Sequence, residues 1–212
     1  MSAEVVALNG LQGAGKSTAA DHFLAQGFVR VKMADTLKRM TEVILDEAGV
    51  ETDDIWRLIE GSQADKMEPI ASLRGTTCRH IMRVLGNEIR NLIYSDIWVE
   101  IACSKVRRHL EAGRKVVIDD IRYPNEIAML QYMFGARLQT LKIEGADHDE
   151  KDFSDAHPSE LPLPDAMFSH VLRNDGTVDQ LHKALEHVHA AGLQNRPGLR
   201  ITCGEALAPQ MA

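Results

Sequence analysis

The sequence predicts an α/β protein, a parallel sheet covered by helices on both faces. Two observations carry that expectation. Short apolar runs suited to buried strands alternate with longer segments of helical period, and that order requires crossover connections. The first apolar run, Val5–Leu8, also leads directly into a glycine-rich turn that opens a helix. The chain has 212 residues, 44% hydrophobic and 26% charged, enough to bury a core without disulfide or metal staples.

The elements follow in order. Val5–Leu8 is the first strand, four apolar residues stopped by turn residues, and Ser17–Ala25 is the helix after it. Gly27 punctuates, and Phe28–Met33 is the second strand. Leu37, Met40, Val43, Ile44 and Leu45 recur at helical spacing and set a helix over Asp35–Ala48. Gly49–Ser72 is mixed, with a short helix around Ile55–Ile59 and a loop near Gly61–Pro69. Two helices come next, Cys78–Ile93 and Ile97–Ala112, the second capped by Ser95 or Asp96 and ended by Gly113. Val116–Asp119 is the third strand, Pro124 opens a helix over Asn125–Phe134, and Leu138–Ile143 is the fourth strand. Gly145–Pro164 is acidic, contains proline and has no usable period. Val171–Leu172 is the fifth strand, and a helix over Val178–Ala190, capped at Thr177, closes the domain. Its histidines His182, His187 and His189 are expected at the surface. From Gly192 a turn at Asn195-Arg196-Pro197-Gly198 leads into a segment without period, expected to be at least partly loosely attached. The expected organisation is one domain over 1–191 with a tail over 192–212.

Charge and cysteine usage narrow the function classes. Lys and Arg number 24 against 31 Asp and Glu, a formal −7, which argues against non-specific binding to a nucleic-acid backbone or an anionic membrane. Cys78, Cys103 and Cys203 are odd in number and far apart, which excludes a disulfide framework or zinc ribbon and suits a reducing compartment. No apolar stretch is long enough to span a membrane, and the start has no signal-peptide layout. The expectation is a cytoplasmic enzyme or binding protein, with a homodimer left open.

The chemistry concentrates in Gly10-Leu11-Gln12-Gly13-Ala14-Gly15-Lys16-Ser17, a complete G-x-x-x-x-G-K-[ST] pattern standing after a strand and opening a helix. Glycines let the backbone curl until successive N–H groups converge on phosphate oxygens, and the helix N-terminus adds partial positive charge. Lys16 would reach the β- and γ-phosphates of ATP, the Ser17 hydroxyl would ligate Mg²⁺, and Thr18 follows in the same turn. Such a site needs a second carboxylate for the metal, and Asp119 or Asp120 supplies it at the C-terminal end of a buried strand. The fold class is therefore a P-loop NTPase, three-layer α/β/α with a roughly five-stranded parallel sheet. A GTPase reading finds neither an NKxD element nor a DxxG switch.

The chain resembles the phage-type deoxynucleoside monophosphate kinases, co-linearly from about Val5 to His187. Beyond the P-loop the resemblance rests on Ala34-Asp35-Thr36-Leu37-Lys38, Arg79-His80-Ile81-Met82-Arg83-Val84-Leu85-Gly86-Asn87-Glu88 and Asp96-Ile97-Trp98-Val99. It continues through Asp119-Asp120-Ile121-Arg122-Tyr123-Pro124-Asn125-Glu126, His157-Pro158-Ser159-Glu160 and Asn174-Asp175-Gly176-Thr177. The family often has Thr where Asn87 stands, and the stretch after Gly192 has no counterpart in it. The resemblance implies a bacteriophage enzyme that uses ATP and Mg²⁺ to convert deoxynucleoside 5′-monophosphates to diphosphates. It also implies a helical acceptor-binding region inserted at 52–113 and a lid-like segment at 145–165.

Residue chemistry then suggests roles. The acceptor phosphate is already ionised, so the barrier is repulsion between two anions, met by positioning and charge neutralisation. Arg79, Arg83 and Arg90 lie on one face of their helix, either as a phosphate clamp or as a solvated stripe, with Arg79 and Arg90 favoured as ligands. Asp35 would orient the acceptor or hold a metal-bound water, as an acidic residue is placed in the related dephospho-coenzyme A kinases, or would simply cap its helix. Lys38, one turn on, would meet the acceptor phosphate or face solvent. Arg122 would reach the acceptor or transferred phosphate, and Glu126 would hold Arg122 in place. Trp98 would stack on a nucleobase or belong to the core. His157 and Glu160 would contact substrate from the lid-like segment, and Asn174 would pack the adenine or serve the capping box Thr177-x-x-Gln180. Two other functions fit less of the pattern: a kinase whose acceptor is dephospho-coenzyme A, phosphomevalonate or a hydroxymethylated base in DNA, and a binding protein that uses ATP as a switch.

Overall fold

The structure, a computed structural model, describes residues 4–146, 153, 158–191 and 198–203. In chain order the elements are β1 (Val5–Asn9), α1 (Lys16–Ala25), β2 (Val29–Val31), α2 (Asp35–Glu47), α3 (Thr52–Glu60), α4 (Gln63–Lys66), β3 (Pro69–Ile70) and β4 (Thr76–Thr77). They continue with α5 (Cys78–Leu92), α6 (Ile97–Glu111), β5 (Val116–Ile121), α7 (Pro124–Phe134), β6 (Leu138–Gly145), β7 (His170–Asn174), α8 (Val178–Ala191) and β8 (Leu199–Thr202). The chain divides into two compact units, Met1–Lys32 with Ala102–Ala212, and Met33–Ile101.

The first unit is a P-loop three-layer α/β/α fold on a six-stranded sheet of order β2-β5-β1-β6-β7-β8, parallel throughout. Strands buried on both faces read as unbroken apolar runs, and β1 is Val-Val-Ala-Leu-Asn with every residue buried. Val6, Leu8, Val117, Leu141, Ile143 and Leu172 pack one face of the sheet against Ala19, Ala20 and Phe23 of α1 and Leu181, Leu185 and Val188 of α8. The chain leaves β1 toward β2 on one side and passes from β5 to β6 in the reverse direction, so right-handed crossovers place α1 and α7 on opposite faces. The C-terminal ends of β1 and its two neighbours therefore border the crevice where open α/β sheets bind ligands.

The sheet has one strand more than expected. Leu199–Thr202, in the tail, pairs with β7 as a parallel edge strand. The sequence gives it little signal, because it is short and lacks long-range context: only Ile201 and Cys203 alternate inward, onto the core. Helices α1 and α8 cover the same face, yet β1–α1–β2 and β7–α8–β8 step in opposite directions across the sheet. The two connections thus have opposite hands, and one departs from the strong right-handed preference.

The closing helix corrects a second expectation in part: His187 is exposed as expected, but His182 and His189 are half-buried. His189 lies edge-on to Phe23 and Phe28, with ring centroids 5.6 Å away in both cases, and His182 stands 4.8 Å from the buried His22. Burial, reinforced by His182, lowers the His22 pKa. Burial, with Lys115 and His22, lowers that of His189, and burial with His187 lowers that of His170. The unfolded chain therefore takes up these protons at a higher pH than the folded one. The associated stability is complete above the ordinary imidazole value of about 6.5 and is lost as pH falls below it. The thermal unfolding temperature should fall between about pH 7.5 and pH 5.5, and a flat profile in calorimetry would contradict the burial of these rings.

The second unit has its own core. Leu45, Ile55, Leu58, Ile59, Ile70 and Cys78 cluster, with Val50, Leu73, Ile81 and Met82 packed against them. The unit runs from Met33 to Ile101, so it takes in α2 and the start of α6. The mixed segment after Gly61 contains α4, opened by a reciprocal cap in which Ser62 and Asp65 bond each other's backbone N–H, and the two-residue pair β3–β4. Gly86 is buried, and a Cβ there would meet Leu37 of α2 at 3.4 Å, so a small residue admits the close approach of α2 and α5.

Candidate active site

The P-loop connects the end of β1 to α1, and its shape follows from the glycines. Gly13 and Gly15 have φ of 84° and 100°, backbone that side-chain-bearing residues rarely adopt. A Cβ on Gly10 would overlap the carbonyl oxygen of Ile143 on the neighbouring β6. Ala14 is buried, its N–H donates to Leu11 O at 3.2 Å, and Gly145 lies against its Cα. Lys16 Nζ donates to Gly10 O at 2.6 Å and Leu11 O at 2.7 Å, which holds the ammonium over the loop. Ser17 is exposed in the first turn of α1, and Thr18 half-buried beside it. Gly15 precedes α1 with no side-chain cap, so the first N–H groups of the helix stay available to an anion. Gln12 is exposed at the loop tip.

Asn174, at the end of β7, comes to the same loop. Its Nδ2 donates to Ala14 O at 3.0 Å and would stand 2.5 Å from a Cβ on Gly15. The amide thus supports the P-loop through its backbone. The turn after it carries the expected capping box, with Thr177 N–H donating to Gln180 Oε1 at 2.7 Å and Gln180 N–H to Thr177 Oγ1 at 3.3 Å.

The two carboxylates ending β5 differ in setting. Asp119 is 6% exposed, and Arg30 Nη2 of β2 donates to its Oδ2 at 2.6 Å. Its Oδ1 is buried without a hydrogen-bond partner, an acceptor suited to a metal-bound water. Asp120 is half-buried. With the Ser17 hydroxyl these are hard oxygen donors of the kind Mg²⁺ takes, so the residues fit the ion. Sequence reasoning missed Arg30, whose signal was a lone cation inside the apolar run Phe28–Val31.

Arg122 is exposed at the start of α7, where Glu126, 3% exposed, accepts from the backbone N–H of Arg122 at 2.7 Å and of Tyr123 at 3.0 Å. Glu126 therefore holds Arg122 by its main chain and caps the helix, leaving the guanidinium to face outward.

In the second unit, Asp35 is the first residue of α2, and Ala34, not Asp35, occupies the N-cap position. Lys38 Nζ donates to both oxygens of Glu60, at 2.7 and 2.6 Å. Arg79 donates to Gln63 Oε1 at 3.0 Å, Arg83 approaches His80 Nδ1 at 3.4 Å, and Arg90 is half-buried further along α5. Trp98 corrects the stacking expectation. It is 3% exposed, and its indole N–H donates to Gly86 O at 3.0 Å, so it is a core residue. Trp98→Phe should lower unfolding stability by about 1 kcal/mol, the value of one hydrogen bond, and leave the KM of the acceptor unchanged. A raised KM without destabilisation would restore the stacking role. Glu160 is exposed in a single turn of 3₁₀ helix at Pro158–Glu160, and His157 lies outside the described residues. No helix among the described residues is long and apolar enough to cross a membrane.

The model for the deoxynucleotide monophosphate kinase family matches residues 52–185, well over half of the chain. The chain belongs to this family. It is a phosphotransferase, a P-loop nucleotide kinase. The match begins beyond Gly10–Ser17, so the phosphate cradle and the family membership of this kinase are separate observations. No curated protein matches the kinase. Among solved structures it is similar to an unliganded sugar kinase from Janibacter sp., with TM-score 0.45 and 13% identity over 94% of this chain and 99% of that one. It is also similar to a protein from Thermus thermophilus, with TM-score 0.43 and 16% identity over 90% and 98% of the two chains. A dephospho-CoA kinase from Campylobacter jejuni gives TM-score 0.37 and 13% identity over 89% and 96%.

Proposed function

We propose that the kinase transfers the γ-phosphoryl group of ATP to the 5′-phosphate of a deoxynucleoside monophosphate, giving ADP and the diphosphate. The observation that carries this reading is the complete glycine cradle with Lys16 over it, in a chain whose family is that of the deoxynucleotide monophosphate kinases. Loop amides and Lys16, exchanging its loop carbonyls for phosphate oxygens, bind the β- and γ-phosphates. Ser17 with Asp119 and Asp120 would hold Mg²⁺, directly or through water, and the ion when bound neutralises charge on those phosphates. Arg79, Arg90 and Lys38 take the acceptor phosphate, and Asp35 orients it. Arg122, its backbone set by Glu126, faces the transferred group. His157 and Glu160 contact substrate from the lid-like segment. An acceptor oxygen attacks phosphorus as the bond to the β–γ bridging oxygen breaks, and no strong base is required because the acceptor is already an anion.

The test is ADP formation from ATP with dTMP, dGMP, dCMP and modified dUMP analogues in turn. Turnover with at least one, well above acceptor-free hydrolysis, is expected. Turnover with none overturns the reading. Asp35→Asn separates it from a hydroxyl acceptor, for which a general base is needed. Modest loss fits a phosphate acceptor and near-complete loss a hydroxyl.

A further inference from the structure

Strand β8 lies outside the family match and takes no part in the phosphate chemistry above. Three sets of contacts nevertheless lead from it to the P-loop. A charge cluster holds the strand in place. Lys142 and Glu144, at 5% and 3% exposure, pair at 2.9 Å, and Lys142 Nζ donates to Asp165 Oδ1 at 2.6 Å. Arg200 of β8 donates to Glu144 Oε2 at 3.2 Å and also to the Asp165 carboxylate, so two cations face two carboxylates. Glu144 is 3% exposed and Asp165 27%, so losing Arg200 removes a cation that these two carboxylates share with Lys142, a cost set mainly at the buried Glu144. Charge balance thus favours docking of a strand whose connection has no help from the usual crossover hand.

The strand in turn fixes the end of β7. Residues 199–202 pair with 170–173 in register, and Cys203 N–H donates to Arg173 O at 2.9 Å, one residue before Asn174. Without β8, β7 would be an edge strand, and edge ends fray. Asn174 then holds Ala14 O at 3.0 Å. In a trans peptide the C=O and the following N–H point in opposite directions, so holding Ala14 O aims the Gly15 N–H, one of the cradle amides.

We propose that β8 is a positioning element of the nucleotide site: Arg200 locks the strand on β7, and β7 presents Asn174, which aims the P-loop amide toward the ATP phosphates. The inference rests on the P-loop being the ATP site. It gives a role to a segment that lies outside the family match. Neither Arg200 nor Asn174 touches the reacting atoms in this scheme; each acts through the backbone of the loop.

The test is a double-mutant cycle in the full chain, with the dissociation constant of a non-hydrolysable ATP analogue measured calorimetrically in the presence of Mg²⁺. Asn174→Ala and Arg200→Met should each weaken binding, by about 3- to 10-fold if one hydrogen bond's worth of preorganisation is lost. The double variant should bind no more weakly than Asn174→Ala alone, and the acceptor KM should not move. Wild-type affinity in Arg200→Met, or weakening that multiplies in the double variant, overturns the proposal. A second measurement needs no variant. By linkage, the ATP analogue must tighten β8 docking if β8 docking tightens ATP binding. Amide exchange at Ile201–Cys203 should slow when the analogue binds, and unchanged exchange overturns the proposal. If the unaltered chain binds no ATP analogue, the donor-site reading falls first and this inference with it.

Discussion

Lys16→Ala is expected to reduce phosphoryl transfer by about 10²–10³-fold or more, the loss typical of removing one preorganised charge from a developing phosphate anion. The folded chain should survive the change. Lys16 is half-buried and donates to two loop carbonyls, Gly10 O and Leu11 O, beyond the C-terminal end of β1. Thermal unfolding should therefore shift little while turnover collapses. The same assay separates binding from chemistry: KM for ATP and kcat should both worsen, because the ammonium serves the phosphates in the ground state and in transfer. Substantial turnover in a folded Lys16→Ala protein would place the phosphate chemistry elsewhere.

Gly10→Ala is expected to act through sterics, and on the fold as well as on the site. The new Cβ would overlap the Ile143 carbonyl oxygen, a backbone atom in the middle of a paired strand that cannot step aside. Either β1 and β6 separate locally or the loop leaves its course, and overpacking with backbone displacement costs about 1–3 kcal/mol. For a chain of this size about 2–4 °C of unfolding temperature goes with each kcal/mol, so a fall of several degrees should accompany loss of ATP binding. Gly13→Ala is the control. It meets no atom within 4 Å, so its cost is limited to placing a side chain at φ 84°. Equal unfolding temperatures for the two variants would remove the steric argument.

Local chemistry made much of this protein legible in advance. The P-loop could be read because everything that shapes it lies within Gly10–Ser17, where spacing and residue type are the determinants. Strands β1 and β5 were legible for a similar reason, being short apolar runs bounded by turn residues. Trp98 was ambiguous, because an aromatic ring flanked by isoleucines suits a core and a base platform equally. The deciding bond to Gly86 O bridges two helices. That Glu126 would hold Arg122 was legible from their spacing, but that the hold runs through the Arg122 backbone follows from the capping geometry at Tyr123–Pro124.

Identity as a phosphate-binding kinase scaffold was written in a contiguous stretch of chain, because amides that converge on an anion are neighbours along the backbone. Which groups brace that stretch was settled by folding alone: Arg30 meets Asp119 across 89 positions, and Asn174 meets Ala14 across 160. Such pairings depend on the order in which strands line up side by side. Hydrophobic periodicity reports that a strand exists and which of its faces is buried, but carries no record of its neighbour, so β8 and its Arg200 bridge emerged only with the assembled sheet.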